Sequence, residues 1–104
     1  MQSVNKEQFS EIISKSQKLV VVDCGAAWCG PCKKLTPIIE ELGVSMGDKI
    51  DVIYVDAGEQ PALAQAHGVM SLPTLLFFKN GEILDRIIGL VSRDKIVEKI
   101  NSLA

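Results

Sequence analysis

Trp28-Cys29-Gly30-Pro31-Cys32 sets two thiols three residues apart, just after the apolar run Leu19-Val20-Val21-Val22 and at the opening of a stretch with helical periodicity. A thiol pair at a strand-to-helix junction is placed to cycle between dithiol and disulfide. The thiolate, not the thiol, attacks a disulfide, so the roles follow from which cysteine ionises more easily. Cys29 stands where the helix begins, beside free backbone N–H groups and the positive end of the helix dipole, both of which favour an anion. Cys32 lies one turn further in, receives less of that field and is expected to be more buried. Cys29 is therefore the expected nucleophile and Cys32 the resolving thiol. Gly30 lets the backbone turn sharply, while Pro31 suits the first helical turn and stiffens the ring that a disulfide closes. Lys33 and Lys34 add positive charge nearby and read as a solvated helix face.

The third cysteine opens a different reading. Cys24, Cys29 and Cys32 have the C-x4-C-x2-C spacing of plant-type iron–sulfur proteins, with His67 as a conceivable fourth ligand. Against this, there is no fourth cysteine, and Cys24 belongs to a strand rather than to a loop that can wrap a cluster. One CxxC without a second pair or a paired histidine motif is also a poor zinc site, so no metal is expected. Cys24 reads as a buried, inert small hydrophobe, with a regulatory or dimer-forming thiol as the alternative. His67, at the end of a short helix, reads as a cap on its last carbonyls.

The elements that must position these residues follow from periodicity. Asn5 with Gln8 resembles a capping box, and Phe9, Ile12 and Ile13 share one face of a helix over about residues 6–16. Leu19 to Cys24 is β-branched and almost wholly apolar, as expected for a strand covered on both faces. Leu35, Ile38, Ile39, Leu42 and Met46 mark a long helix from near Cys29 to Gly47, with Pro37 inside it as a kink. Ile50 to Val55 is a second strand, and Pro61 to His67 a short helix ended by Gly68. Thr74 to Lys79 and Glu82 to Ile88 flank Asn80-Gly81, a strong hairpin signal. Ser92 caps a last helix with Ile96, Val97, Ile100 and Leu103 on its buried stripe. A mixed sheet with helices on both faces buries all of these stripes.

Length and composition bound the rest. The 104 residues suit a single domain, 1–104, able to bury about two-thirds of its unfolded surface. The net charge is −2, with no basic run longer than Lys33-Lys34, which speaks against a nucleic-acid partner. The apolar runs fall far short of the about 20 residues a membrane helix needs. The N-terminal Met1 to Glu7 lacks the apolar core of a secretory signal, so a soluble cytoplasmic protein is expected. Three clustered cysteines are too few for the disulfide framework of a secreted scaffold.

The segment from Val22-Asp23 through Ala26-Ala27-Trp28-Cys29-Gly30-Pro31-Cys32-Lys33 resembles the active-site region of the thioredoxin family. The likeness extends over nearly the whole chain: Pro37 matches the family's helix kink, Leu72-Pro73-Thr74 the loop before a strand, Phe78-Lys79-Asn80-Gly81 the hairpin, and Gly89 the end of the last strand. The resemblance implies an α/β fold, a central five-stranded mixed sheet flanked by four helices, and protein-disulfide reductase activity. In that scheme Cys29 forms a mixed disulfide with the target and Cys32 attacks it to release the reduced target. Thioredoxin reductase, with NADPH and FAD in that partner, recycles the pair, and the chain itself carries no cofactor. The partners implied are that reductase and disulfide-containing proteins, met by a monomer. A rival of another class is a binding or holdase module whose thiols are secondary. An oxidase or isomerase domain of the same fold is disfavoured by Gly-Pro between the cysteines.

Asp23 corresponds to the family's buried carboxylate. An acid ending an apolar strand is costly unless used or satisfied, and desolvation raises its pKa, which makes it a proton acceptor for Cys32 through water. Leu72-Pro73 resembles the family's cis-proline peptide facing the disulfide. With Trp28 and Gly89 it would form the groove that holds an extended target segment. Two departures stand out. Cys24-Gly25 replace two aromatics that often follow the acid, which is expected to loosen the floor of the site. A lysine that often stands near the acid on the neighbouring strand corresponds to Val52, and its loss is expected to raise the Asp23 pKa and alter the pH profile.

Overall fold

A computed structural model describes residues 1–104. In chain order the elements are β1 (Gln2–Ser3), α1 (Lys6–Lys15), β2 (Leu19–Gly25), α2 (Gly30–Ser45), β3 (Ile50–Asp56), α3 (Pro61–Ala66), β4 (Thr74–Lys79), β5 (Glu82–Ile88) and α4 (Arg93–Leu103). The five strands form one mixed sheet in the order β1-β3-β2-β4-β5. The strands β1, β3 and β2 run parallel, and β4 is antiparallel to both β2 and β5. The strand that carries Asp23 is thus the centre of the sheet.

Its continuous apolar sequence is explained by burial on both sides. Val20, Val22 and Cys24 share one core cluster with Phe9 and Ile13 of α1 and Leu63 of α3. Leu19 and Val21 share another with Leu35, Ile39 and Leu42 of α2 and Ile96 and Ile100 of α4. Each large aliphatic side chain removed from water in this way contributes on the order of 2 kcal/mol. Asp23 alternates onto the second face, toward α2, which is why a charged residue there meets the thiol helix rather than α1.

Local signals hold where they are chemical. Asn5 and Gln8 form the reciprocal capping box on α1, and the Ser92 hydroxyl accepts from the Lys95 N–H at 3.2 Å. Asn80 and Gly81 both adopt positive φ, 54° and 82°, as the two-residue hairpin turn requires. The helix α2 runs through Pro37 and ends at Ser45, slightly before Gly47, because Met46 already closes it with its N–H on Leu42 O at 2.8 Å. The edge strand β1 is only the two residues Gln2–Ser3, paired with Ile53 and Tyr54, too short to leave an alternation signal in the sequence.

Candidate active site

The first turn of α2 presents the thiols. Cys29 is the residue that caps the helix, in extended conformation, and its Sγ accepts the N–H of Cys32 at 3.3 Å. Cys29 and Cys32 are joined as a disulfide with Cα atoms 5.3 Å apart. Cys29 is 7 % exposed and Cys32 2 %, so the cysteine nearer the dipole end is also the more accessible one. A sulfur in this position is stabilised as an anion by a backbone donor and by the helix terminus together. Lys33 and Lys34 are both exposed.

Asp23 lies behind the pair, 0 % exposed. Its Oδ2 accepts the Thr36 hydroxyl at 2.7 Å, whereas Oδ1 has no hydrogen-bond partner. Burial pushes its carboxyl up to about 6; the Thr36 hydrogen bond pulls against that shift, and the charge of Glu40 adds to it. Thr36, its hydrogen-bond partner, lines a surface cavity of about 340 Å³ together with Ala26, Cys32, Pro37, Glu40 and Tyr54, among others, whereas Asp23 itself is not part of that lining. At its rim the Met1 ammonium pairs with Glu40 at 3.2 Å. A buried acid with a free oxygen, held by a hydroxyl that shares a recess with Cys32, is a candidate to take and return a proton.

The strand register identifies the neighbour of Asp23 on β3. The residue paired with Asp23 on β3 is Tyr54, while Val52 pairs with Val21, one pleat away, and packs toward Gly43 of α2. No cation stands across from Asp23, but the side chain in that place is a phenol rather than an isopropyl group. The floor of the site is also not loosened by Gly25. A Cβ on Gly25 would stand 3.1 Å from the Tyr54 hydroxyl oxygen and 3.3 Å from Cys32 Cβ, so the Tyr54 ring fills the space a larger residue would take. Burial and the nearby carboxylates of Asp56 and Asp23 raise the Tyr54 pKa, which keeps it a neutral phenol.

Of the other expected site residues, Leu72 reaches the disulfide. Leu72 packs against the small cluster of Ala26, Cys29 and Cys32, and the Leu72–Pro73 peptide is cis. Pro73 O accepts the Gly89 N–H at 2.8 Å, which ties the end of β5 to this loop. Trp28 is 75 % exposed beside the cysteines. Met70, Ile88 and Leu90 are exposed apolar residues near these loops that sequence reasoning did not single out. Thr36 and Tyr54 were missed as well. Thr36 was within reach, since four residues after Cys32 is one turn along the same helix face.

Cys24 and His67 stand apart. Cys24 faces the α1 side among apolar residues, and burial with the Asp23 charge pushes its thiol up to about 12. It cannot join Cys29 and Cys32 around a metal from the opposite face of the sheet, and no group of three or more metal-ligating side chains is assembled anywhere. The His67 ring lies edge-on to Phe9 and Phe78, with Nδ1 3.2 Å from the Leu63 carbonyl oxygen of α3, the helix-end contact expected of it.

The Thioredoxin family model matches residues 1–102. A thioredoxin of Rickettsia bellii is 39 % identical over 100 residues, covering 96 % of this chain and 95 % of that protein. A thioredoxin of Bacillus subtilis is 41 % identical over 86 residues, covering 83 % of each. A chloroplastic M-type thioredoxin of Pisum sativum is 41 % identical across 96 % of this chain, which spans 58 % of that longer protein. Among solved structures, a Plasmodium falciparum thioredoxin superposes with a TM-score of 0.91 at 32 % identity, covering all of both chains.

Proposed function

This chain belongs to the thioredoxin family and is a protein dithiol–disulfide oxidoreductase, and on that premise we propose that it reduces target-protein disulfides in the cytoplasm and so maintains redox balance there. Cys29, as thiolate, attacks one sulfur of the target disulfide, and the other target sulfur leaves as a thiolate and is protonated. Cys32 gives its proton to Asp23 and attacks Cys29 Sγ. The Cys29–target bond breaks, the second target sulfur departs with the electron pair, and the target has gained two electrons and two protons. Trp28, Leu72, Pro73 and Gly89 form the groove that receives the target as an extended segment. Gly30 and Pro31 keep the two sulfurs in register for both steps.

The Cys29–Cys32 disulfide is returned to dithiol by thioredoxin reductase, with electrons from NADPH passing through FAD in that partner. The chain binds no cofactor of its own and works as a monomeric single domain, 1–104, with no nucleic-acid or membrane partner. No helix is long and apolar enough to cross a membrane. The observation that carries this reading is the disulfide in the first turn of α2 with Cys29 Sγ on the Cys32 N–H.

A redox titration in glutathione and dithiothreitol buffers, with thiols counted by mass spectrometry, tests it. A two-electron Cys29–Cys32 couple reducing enough to stay dithiol against cytosolic glutathione supports the reductase. A strongly oxidising couple would assign disulfide formation instead, and no reversible couple would remove the redox role.

A further inference from the structure

The proton that leaves Cys32 has two carboxylate oxygens to choose between, and the structure distinguishes them. Thr36 lies one turn after Cys32 on α2, and its Oγ1 donates to Asp23 Oδ2 at 2.7 Å. That bond occupies one oxygen and fixes the plane of the carboxylate, leaving Oδ1 unpartnered. The same two helical residues, Cys32 and Thr36, line one cavity. One helix face therefore delivers both the thiol that loses the proton and the hydroxyl that orients its acceptor. Tyr54, the β3 partner of Asp23, sets its neutral ring over Gly25.

We infer that Thr36 is a positioning residue for the proton step: by holding Oδ2 it makes Oδ1 of Asp23 the atom that takes the proton from Cys32. This deepens the proposed function and rests on Asp23 being the acceptor. The Cys32 S–H bond breaks, the proton passes to Oδ1, and the electron pair left on sulfur forms the bond to Cys29 Sγ. The target sulfur leaves with the pair of the broken bond and is protonated by solvent, and Asp23 then returns its proton to solvent.

The electrostatic surroundings give the hydroxyl leverage. From α2, the charge of Glu40 opposes ionisation of the acid while pairing with the Met1 ammonium at 3.2 Å, and Lys33 lines the same cavity as Glu40. From β3 comes neutral Tyr54, and from β4 the partner of Asp23 is Leu75. Cys24, next along β2, stays a thiol. No cation bonds the carboxylate, so the Thr36 hydroxyl is the only side chain that favours its ionised form through a hydrogen bond.

The test compares wild type with Thr36→Val, which keeps the shape and removes the hydroxyl, with Thr36→Ser, which restores it, and with Asp23→Asn. Two readouts are followed against pH: stopped-flow release of thionitrobenzoate from its mixed disulfide with Cys29, and NMR titration of the Asp23 carboxyl. A hydrogen bond to a carboxylate favours its charged form, so Thr36→Val is expected to raise both midpoints by about one pH unit. Thr36→Ser is expected to return them. A merely structural Thr36 would change the urea midpoint and leave both pH midpoints in place, and that result would overturn the inference. If instead Asp23→Asn leaves the pH dependence of release unaltered, it is the assignment of Asp23 itself that fails.

Discussion

Asp23 and Cys24 are neighbours on one strand, 0 % and 1 % exposed, and burial raises both pKa values, to about 6 and about 12. Their roles part because a strand sends successive side chains to opposite faces of its sheet. Cys24 falls among Phe9, Val55, Leu63 and Leu76, where there is no room for a water molecule. Asp23 falls against the Thr36 hydroxyl, and Thr36 lines a cavity together with Cys32. Burial alone produces a shifted but inert group. Chemistry needs, in addition, a partner within reach and a route by which the proton can leave.

The largest contrast lies between the thiols on the two faces. Cys29→Ser removes the nucleophile and is expected to cut the turnover of a model protein disulfide by on the order of a thousandfold or more, measured as dithiothreitol-driven reduction. Cys24→Ala in the same assay is expected to retain full activity. A Cys24 variant that lost activity would break the division between the faces.

Next in size is the stability held in Asp23. Its folded-state pKa of about 6 lies above the ordinary 3.8, so the protonated acid is the form that suits the fold. That advantage is complete below about pH 3.8 and is lost as pH rises through about 6; above that the buried charge costs about 3 kcal/mol. Asp23→Asn keeps an acceptor for Thr36 and removes the charge. It is expected to gain about 2–3 kcal/mol over wild type at pH 8 and almost nothing at pH 3.5, read by urea unfolding at the two pH values. An equal gain at both would place the cost in packing rather than in ionisation.

A smaller effect tests how Tyr54 closes the site. Gly25→Ala sets a methyl 3.1 Å from the Tyr54 oxygen and 3.3 Å from Cys32 Cβ, and is expected to cost about 1–2 kcal/mol by overpacking. Combining it with Tyr54→Phe should recover part of that loss, seen as a non-additive double-mutant cycle in urea. Strict additivity would mean that the phenol does not occupy the space above Gly25. Smallest of all is the structural price of Cys24→Ala, about 1 kcal/mol from the lost sulfur contacts, with no change in the pH profile of thiol exchange.

Much of this was legible in residues 19–32 and in one short turn. The β-branched run, the helix onset at the first cysteine and the Asn80-Gly81 turn each carry a local physical signal, and the structure places them accordingly. The partner of Asp23 on β3 was not legible, and the reason is geometric. Val52 and Tyr54 are two residues apart, so both lie on the same face of β3, and hydrophobic alternation is blind to a slip of two. Nothing local fixes that register, because β2 and β3 are joined through the whole of α2. The two-residue β1 and the exposure of Met70 and Leu90 likewise depend on what lies nearby in space rather than on the segment itself.

The sequence by itself determined the chemistry: two thiols at a helix terminus, an acid at the end of a buried strand, and their order along the chain, because charge, helix onset and periodicity act over a few residues. The tertiary structure alone decided which groups meet that acid. Packing α2 on the sheet brought the Thr36 hydroxyl to Oδ2, the parallel register put Tyr54 over Gly25, and Oδ1 of Asp23 was left without a partner. Contacts between elements far apart in sequence are set by how whole faces fit together, and no single segment encodes that fit.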